Sequence, residues 1–285
     1  KPGSAEGNAV VAIKNTKGEI LWSWHIWNTT YSPVNVMFGE YMDRNLGALV
    51  NAYEFISNGS NDYNYTRDKP TTYGLLYQWG RKDPFPASSL AKQAPDYPYP
   101  IQSPKPIYNQ KGEVIDAAKE NRESIHNNLQ KSILNPNVFY YSNDGLGDWL
   151  TANSNEQNNN LWSADSKSLY DPCPEGWKVT PDNWLSKVVY VNYREMYHQY
   201  SISFFQKLQN VYVGGLRSYN EGKYTEEDRF GYYWTANPAM INTLKRHAND
   251  VSGQGSNVTE SLEYKEIQRA TGAMMRCVRY DDTND

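Results

Sequence analysis

Apolar and polar positions alternate most sharply near the start of the chain. Ala9–Lys14 and Ile20–Trp27 read as two strands joined by a turn at Asn15-Thr16-Lys17-Gly18, where the glycine can supply positive φ. In the second strand, Ile20, Trp22, Trp24 and Ile26 fall on one face, and Leu21, Ser23, His25 and Trp27 on the other. Both faces carry apolar bulk, which predicts a central strand covered on both sides. Val34–Phe38 predicts a third short strand. Asp43-Arg44 sits among Met42, Leu46 and Leu49, where charges are costly unless paired, and reads as a hydrogen-bonded pair in a turn.

Further on, residues 50–72 are polar and read as a surface loop. Thr71–Trp79 predicts a short turn-helix with Leu75, Leu76 and Trp79 inward. Asp83–Pro106 is proline-rich, which argues against regular structure. Glu113–Leu134 carries the clearest helical period, with Ile115, Ala118, Arg122, Ile125, Leu129 and Ile133 three or four apart, and Asn135-Pro136 ends it. Val138–Tyr141 reads as a strand, and 143–160 as a polar loop. Trp177–Val179 predicts a strand, after which Thr180 caps a helix that has Pro181 at its first position. Val211–Ser218 and Phe230–Ala236 read as an antiparallel pair around a polar turn. A strand near Ile241–Leu244 and a closing strand at Ala273–Tyr280 complete the list. No repeat and no domain-sized shift in composition appears. Residues 1–8 read as a linker end and 9–285 as a single domain, with 88–169 as an insertion carrying one amphipathic helix.

Composition narrows the class. Of 285 residues, 14% are aromatic, including 24 Tyr and 9 Trp, which favour pleated, half-buried surfaces over helical bundles. A net charge of −4 argues against a nucleic-acid footprint. No stretch nears the ~20 apolar residues of a membrane span. The chain starts at Lys1, so a signal peptide or lipid anchor would lie outside it.

The only cysteines are Cys173 and Cys277. Prolines and a glycine frame the first, in Asp171-Pro172-Cys173-Pro174-Glu175-Gly176-Trp177, so the backbone turns sharply and then straightens. We read the pair as one disulfide; the alternative is two unrelated buried thiols. Closing a loop of roughly 100 residues is worth about 4–5 kcal/mol in the chain-entropy model. The rest of the chain looks extracytoplasmic, where disulfides persist.

Chemical signals are sparse. His25, His126, His198 and His247 stand alone, two cysteines do not make a structural zinc site, and no Walker loop, nucleophile elbow or dinucleotide fingerprint is present. Acidic runs such as Glu226-Glu227-Asp228 read as solvated turns. Asn143-Asp144-Gly145-Leu146-Gly147-Asp148 brings two carboxylates into a flexible turn. Asp144 and Asp148 are therefore a weak calcium candidate, set against an ordinary loop without the EF-hand spacing. No metal, cofactor or catalytic residue is expected. The aromatic surplus is the best hint of a ligand, because a ring face stacks on a sugar while Asn, Asp and Arg bond its hydroxyls. Against that, Trp149 and Trp162 are equally well explained as pins that fasten the insertion to the core.

Four stretches in order resemble one family. Tyr73-Gly74-Leu75-Leu76-Tyr77-Gln78-Trp79 comes first, followed by Asp171–Trp177 with Pro181-Asp182-Asn183-Trp184. Next are Gly214-Gly215-Leu216-Arg217 leading to Gly231-Tyr232-Tyr233-Trp234-Thr235, and last is Met275-Arg276-Cys277-Val278. Together they resemble the Fibrobacter succinogenes major paralogous domain over most of 9–280. Asn8–Trp27 with Met42–Ala48 looks like the version found in Bacteroidales surface and fimbria-associated proteins. Two departures stand out: Thr180-Pro181 reverses the family's Pro-Thr order, and 88–169 is long. The resemblance implies an α+β, C-type-lectin-like domain with a twisted antiparallel sheet, few short helices and the mid-chain insertion. It also implies an extracytoplasmic location, at the cell surface or outer membrane, in lipoprotein or fimbrial company. The expected function is a non-enzymatic adhesion module for glycan or protein, with fimbrial subunits as possible partners. An enzyme on a formylglycine-generating scaffold is the alternative, but it would need a reactive cysteine pair or a histidine triad. The calcium motifs of C-type lectins are missing. Ligand in such folds sits in loops near the closing strand, which points to Tyr219, Asn220, Tyr224, Asn237 and Arg246.

Overall fold

A computed structural model describes residues 6–36, 39–50, 72–87, 125–142, 144–182, 184–185, 201–202, 211–212, 214–225, 230–248 and 258–280. Those residues form small antiparallel sheets and one α-helix, a mainly β member of the α+β class.

The opening alternation does fold into a hairpin. β1 (Gly7–Lys14) pairs antiparallel with β2 (Ile20–Asn28), with Val11 opposite Trp24 and Ile13 opposite Trp22. Asn15 builds the turn: its side-chain oxygen accepts the N–H groups of Lys17 and Glu19, and Gly18 takes φ +84°. Among the described residues β2 is not a central strand, because its sheet there has only β1 and β2. Ser23, His25 and Trp27 turn to the protein, while Trp24 and Ile26, with Val11 and Ile13 across the ladder, remain exposed. Alternation with bulk on both faces cannot say whether a second layer covers the outer face; here Tyr170 and Lys82 pack on it at Trp22, and Trp24 and Ile26 stay exposed.

The central sheet has order β3-β4-β13-β5, from β3 (Val34–Val36), β4 (Gly39–Tyr41), β5 (Trp177–Val179) and β13 (Cys277–Arg279). All its pairings are antiparallel, with Cys277 opposite Val179 and Val278 opposite both Lys178 and Tyr41. Cys173 and Cys277 are joined, Cα to Cα 5.9 Å, across a separation of 104 residues. The bond staples the last strand to the turn that leads into its neighbour. A second sheet runs β10-β11-β12, from β10 (Phe230–Trp234), β11 (Met240–Ala248) and β12 (Val258–Glu266).

Several expected elements take other forms. Tyr73–Trp79 is extended rather than helical: Leu76 bridges Phe85, and Tyr77 bridges Ala273. Leu75, Leu76 and Trp79 are buried as expected. Gly74, at φ +77°, lets this segment run so close to Leu46 that a Cβ would stand 2.5 Å from the Leu46 carbonyl oxygen. Val138–Tyr141 is not a strand, because side chains take its carbonyls. Arg81 Nη1 donates to Val138 O at 2.5 Å, and Gln78 Nε2 to Tyr140 O at 2.6 Å. Pro181 is not helical; helical backbone is described only at 184–185, and the Thr180 hydroxyl is buried with no bond among the described residues. The predicted antiparallel pairing of Val211–Ser218 with Phe230–Ala236 is reduced to one parallel bridge, Gly215 to Gly231, and local pairings take its place. β6 (Ser201–Ile202) pairs with β7 (Val211–Tyr212), β8 (Leu216–Arg217) with β9 (Tyr224–Thr225), and β10 with β11. The helix is α1 (Ile125–Leu134), lying against β2; the predicted stretch 113–124 falls outside the described residues. The predicted loop at 51–71, the proline-rich 88–106 and Phe38 do so too.

Aromatic and sulfur side chains dominate the core, in two clusters. One gathers Trp79, Trp149, Trp162, Trp177, Trp234 and both cysteines. The other gathers Tyr41, Tyr73, Phe85, Phe139, Trp184, Tyr233 and Val278. Buried guanidiniums tie loops to these clusters. Arg81 lies 4.8 Å from the Phe85 ring centre and 5.0 Å from that of Tyr140, while donating to three carbonyls at 135–138. Arg276 donates to Asn45 Oδ1 at 2.9 and 3.2 Å, and burial pushes its pKa down to about 10. Asp43 and Arg44 form the expected buried bidentate pair, at 3.0 Å for each bond.

Candidate functional site

A concavity lies between β2 and the segment Lys167–Glu175, a cleft of about 570 Å³. One wall runs along Trp22–Trp27, and the other is the turn that carries Cys173. This second wall is rigid for local reasons. Asp171 Oδ1 accepts the Cys173 N–H at 2.9 Å and Oδ2 the Val179 N–H at 2.9 Å. Lys167 Nζ reaches Asp171 Oδ1 at 2.9 Å and the Cys173 carbonyl at 2.7 Å. Burial raises the Asp171 pKa, and Lys167 with these N–H donors opposes the rise.

Beneath the hairpin is a polar layer that neither composition nor spacing announced. Asn8 Nδ2 donates to Gly47 O at 2.8 Å, which aims Asn8 Oδ1 at His25 Nε2, 2.8 Å away. His25 therefore carries its proton on Nε2, and Nδ1 accepts from the Tyr77 hydroxyl at 3.0 Å. Desolvation holds the His25 pKa down at about 3 and pushes Tyr77 up, so the pair is neutral across the physiological range. Beside it, Lys82 Nζ donates to Asp83 Oδ1 at 2.7 Å, to the Ser23 carbonyl at 3.0 Å and to the Ser23 hydroxyl, and sits 4.6 Å from the Trp22 ring centre. Burial raises Asp83 and lowers Lys82, and each charge opposes the other's shift. The Ser23 hydroxyl also donates to Asp83 Oδ1, at 2.6 Å. These groups serve one another, and the layer holds β2 in place.

Apolar groups remain available at the cleft mouth. Trp24 is 46% exposed, Ile26 49% and Leu169 82%. Trp22 packs at 5.9 Å from Tyr170, joining the two walls. Glu175 lines the cleft, is exposed, and has no partner among the described residues. The arrangement offers an aromatic face, flanking aliphatic surface and one carboxylate acceptor on a stiff frame. The alternating pattern places the tryptophans under cover and Glu175 in a turn, so nothing local in the sequence marks these residues as a site.

The residues singled out from sequence lie elsewhere. Tyr219, Asn220 and Tyr224 share the β8–β9 hairpin. Tyr224 is used internally, its hydroxyl donating to Pro86 O at 2.6 Å and its ring 5.5 Å from the Arg217 guanidinium. Tyr219 packs on the core, and Asn220 is exposed beside Ser218. Asn237 sits in the β10–β11 turn and donates to the Tyr264 hydroxyl at 3.0 Å. Arg246 is on β11, opposite Glu260 in register. No described hydrogen bond or ring contact joins the β8–β9 hairpin to Asn237. In the calcium candidate, Asp144 Oδ1 accepts the Gly147 N–H at 3.1 Å. Asp148 is buried, accepting from Leu150 N at 2.8 Å and Gln157 Nε2 at 2.9 Å. Among the described residues no three His, Cys, Asp or Glu side chains gather as metal ligands, and no helix is long and apolar enough to cross a membrane. Comparison of the chain with family models, curated proteins and solved structures gives no match.

Proposed function

We propose that this chain is a non-enzymatic binding module of an extracytoplasmic surface, built on a C-type-lectin-like scaffold, whose ligand is a glycan or a surface protein. The observation that carries the reading is the cleft beside β2. Exposed Trp24, Ile26 and Leu169 surround a concavity framed by a disulfide-anchored turn, and solvent-facing apolar groups of this kind mark interaction sites. Two further facts support it. Both cysteines are spent in the disulfide, so neither is a nucleophile, and the one histidine at the cleft is locked neutral between Asn8 and Tyr77. The disulfide also suits an oxidising compartment. Membership of a fimbrial or lipoprotein assembly rests on the motif resemblance alone.

The test is adhesion of beads coated with the chain to cell surfaces, before and after periodate and protease treatment of the cells. Periodate-sensitive adhesion identifies a glycan ligand, and protease-sensitive, periodate-resistant adhesion a protein ligand. Adhesion that resists both treatments, or no adhesion at all, removes the reading.

A further inference from the structure

Resting on that reading, we infer that the β2 cleft binds a neutral pyranose glycan, stacked on Trp24 and hydrogen-bonded to Glu175, and discriminates against acidic sugars.

The first support is the availability of the ring. Trp24 sits on the open face of a hairpin whose other face is held by Ser23, His25 and Trp27, so its indole is presented by an anchored strand at low conformational cost. A flat indole beside Ile26 matches the apolar C–H face of a pyranose, and a peptide side chain has no comparable plane of axial C–H groups.

The second support is the charge inventory. Two cations line the cleft, Lys82 and Lys167, and each already points its donors at protein acceptors. Lys82 is taken by Asp83 and by both oxygens of Ser23. Lys167 is taken by Asp171 and the Cys173 carbonyl. His25, the remaining basic group lining the cleft, is held neutral. Glu175 is left as an acceptor with no ion pair or hydrogen bond among the described residues, on a chain of net charge −4, and no arginine lines the cleft. A sugar hydroxyl donates to such a carboxylate, whereas a sialic or uronic carboxylate meets like charge with no compensating donor. Selection against acidic sugars thus follows from cations that are present but internally consumed.

The experiment uses the full chain in calorimetry against maltohexaose, cellohexaose, mannopentaose and lacto-N-tetraose. Sialyllactose, tetragalacturonate and a heparin octasaccharide serve as acidic probes. At least one neutral probe binds, and more tightly than any acidic one. Trp24→Ala weakens it about ten-fold or more, while Trp24→Phe keeps most of the affinity, since a smaller ring still stacks. Circular dichroism shows both variants folded, Trp24 being half exposed. Glu175→Lys narrows the gap between neutral and acidic probes, and Tyr219→Ala leaves binding unchanged. Tighter binding of an acidic probe, unchanged affinity in Trp24→Ala, or silence from all neutral probes overturns the inference. In the last case protease-sensitive bead adhesion would leave the binding-module reading standing, and absence of any adhesion would remove both.

Discussion

The indole N–H of Trp149 donates to the backbone carbonyl of Trp79 at 2.8 Å, across 70 residues of chain. Trp149 belongs to the loop-rich stretch 144–176 and Trp79 to the segment that bridges the closing part of the chain at Tyr77 and Ala273. Nearby, the Trp162 ring centre lies 5.6 Å from that of Trp79, and its N–H donates to Tyr170 O at 2.9 Å. The stretch around Trp149 and Trp162 is therefore part of the core, fastened by rings that also satisfy their polar atoms. Trp149→Ala and Trp162→Ala should each cost about 3–5 kcal/mol in urea unfolding, the range for a buried large aromatic. A loss below about 1 kcal/mol for either would mean that its segment is only draped on the surface.

Reduction of the Cys173–Cys277 bond should lower stability by about 4–5 kcal/mol, since the released loop spans roughly 100 residues. Reductant should lower the denaturant midpoint of the wild type to that of the Cys173→Ala/Cys277→Ala double variant, and an unchanged midpoint would mean that the bond does not stabilise the fold. The effect should also reach the cleft, because Cys173 is one of its lining residues. Affinity for a neutral probe that falls only in the reduced protein would show the turn holding the site in shape.

The Lys82–Asp83 pair is buried, with side-chain exposures of 7% and 1%. Removing one member leaves the other charge unpaired in a poor solvent, so Lys82→Met should destabilise by about 3–5 kcal/mol. Lys82→Met combined with Asp83→Leu should recover much of that loss, because the isolated charge is then gone. A double-mutant cycle showing simple additivity would mean that the two side chains do not depend on each other.

His25 gives the fold a pH dependence of predictable sign. Its pKa is about 3 in the folded chain against an ordinary 6.5, so in that window the unfolded chain binds the proton and the folded chain does not. The stability from neutral His25 is complete above pH 6.5 and is lost as pH falls from 6.5 towards 3, at up to about 1.4 kcal/mol per pH unit. Urea titrations from pH 8 to 4 should show a steeper acid loss for wild type than for His25→Gln, which keeps a donor towards Asn8 without titrating. Parallel curves would place the acid sensitivity in other groups.

Local chemistry determined a definite part of this protein. Asn15 and Gly18 specify the first turn, Asp43-Arg44 specifies its own ion pair, and the prolines around Cys173 specify a bend before Trp177–Val179. These follow from side chains acting on backbone a few residues away. Tertiary structure decided the rest. The alternating tryptophans of β2 are compatible with one covered face or two, and packing decides it: among the described residues no layer covers Trp24 and Ile26. Val138–Tyr141 has the composition of a strand, yet Arg81 and Gln78 claim its carbonyls from some 60 residues away, so no ladder forms. Glu175 and Trp24 are 151 positions apart and line one cleft, across which Trp22 meets Tyr170. Spacing along a chain encodes the period of a strand or helix, but which faces meet depends on the free energy of burying them against each other. That is a property of the assembled fold.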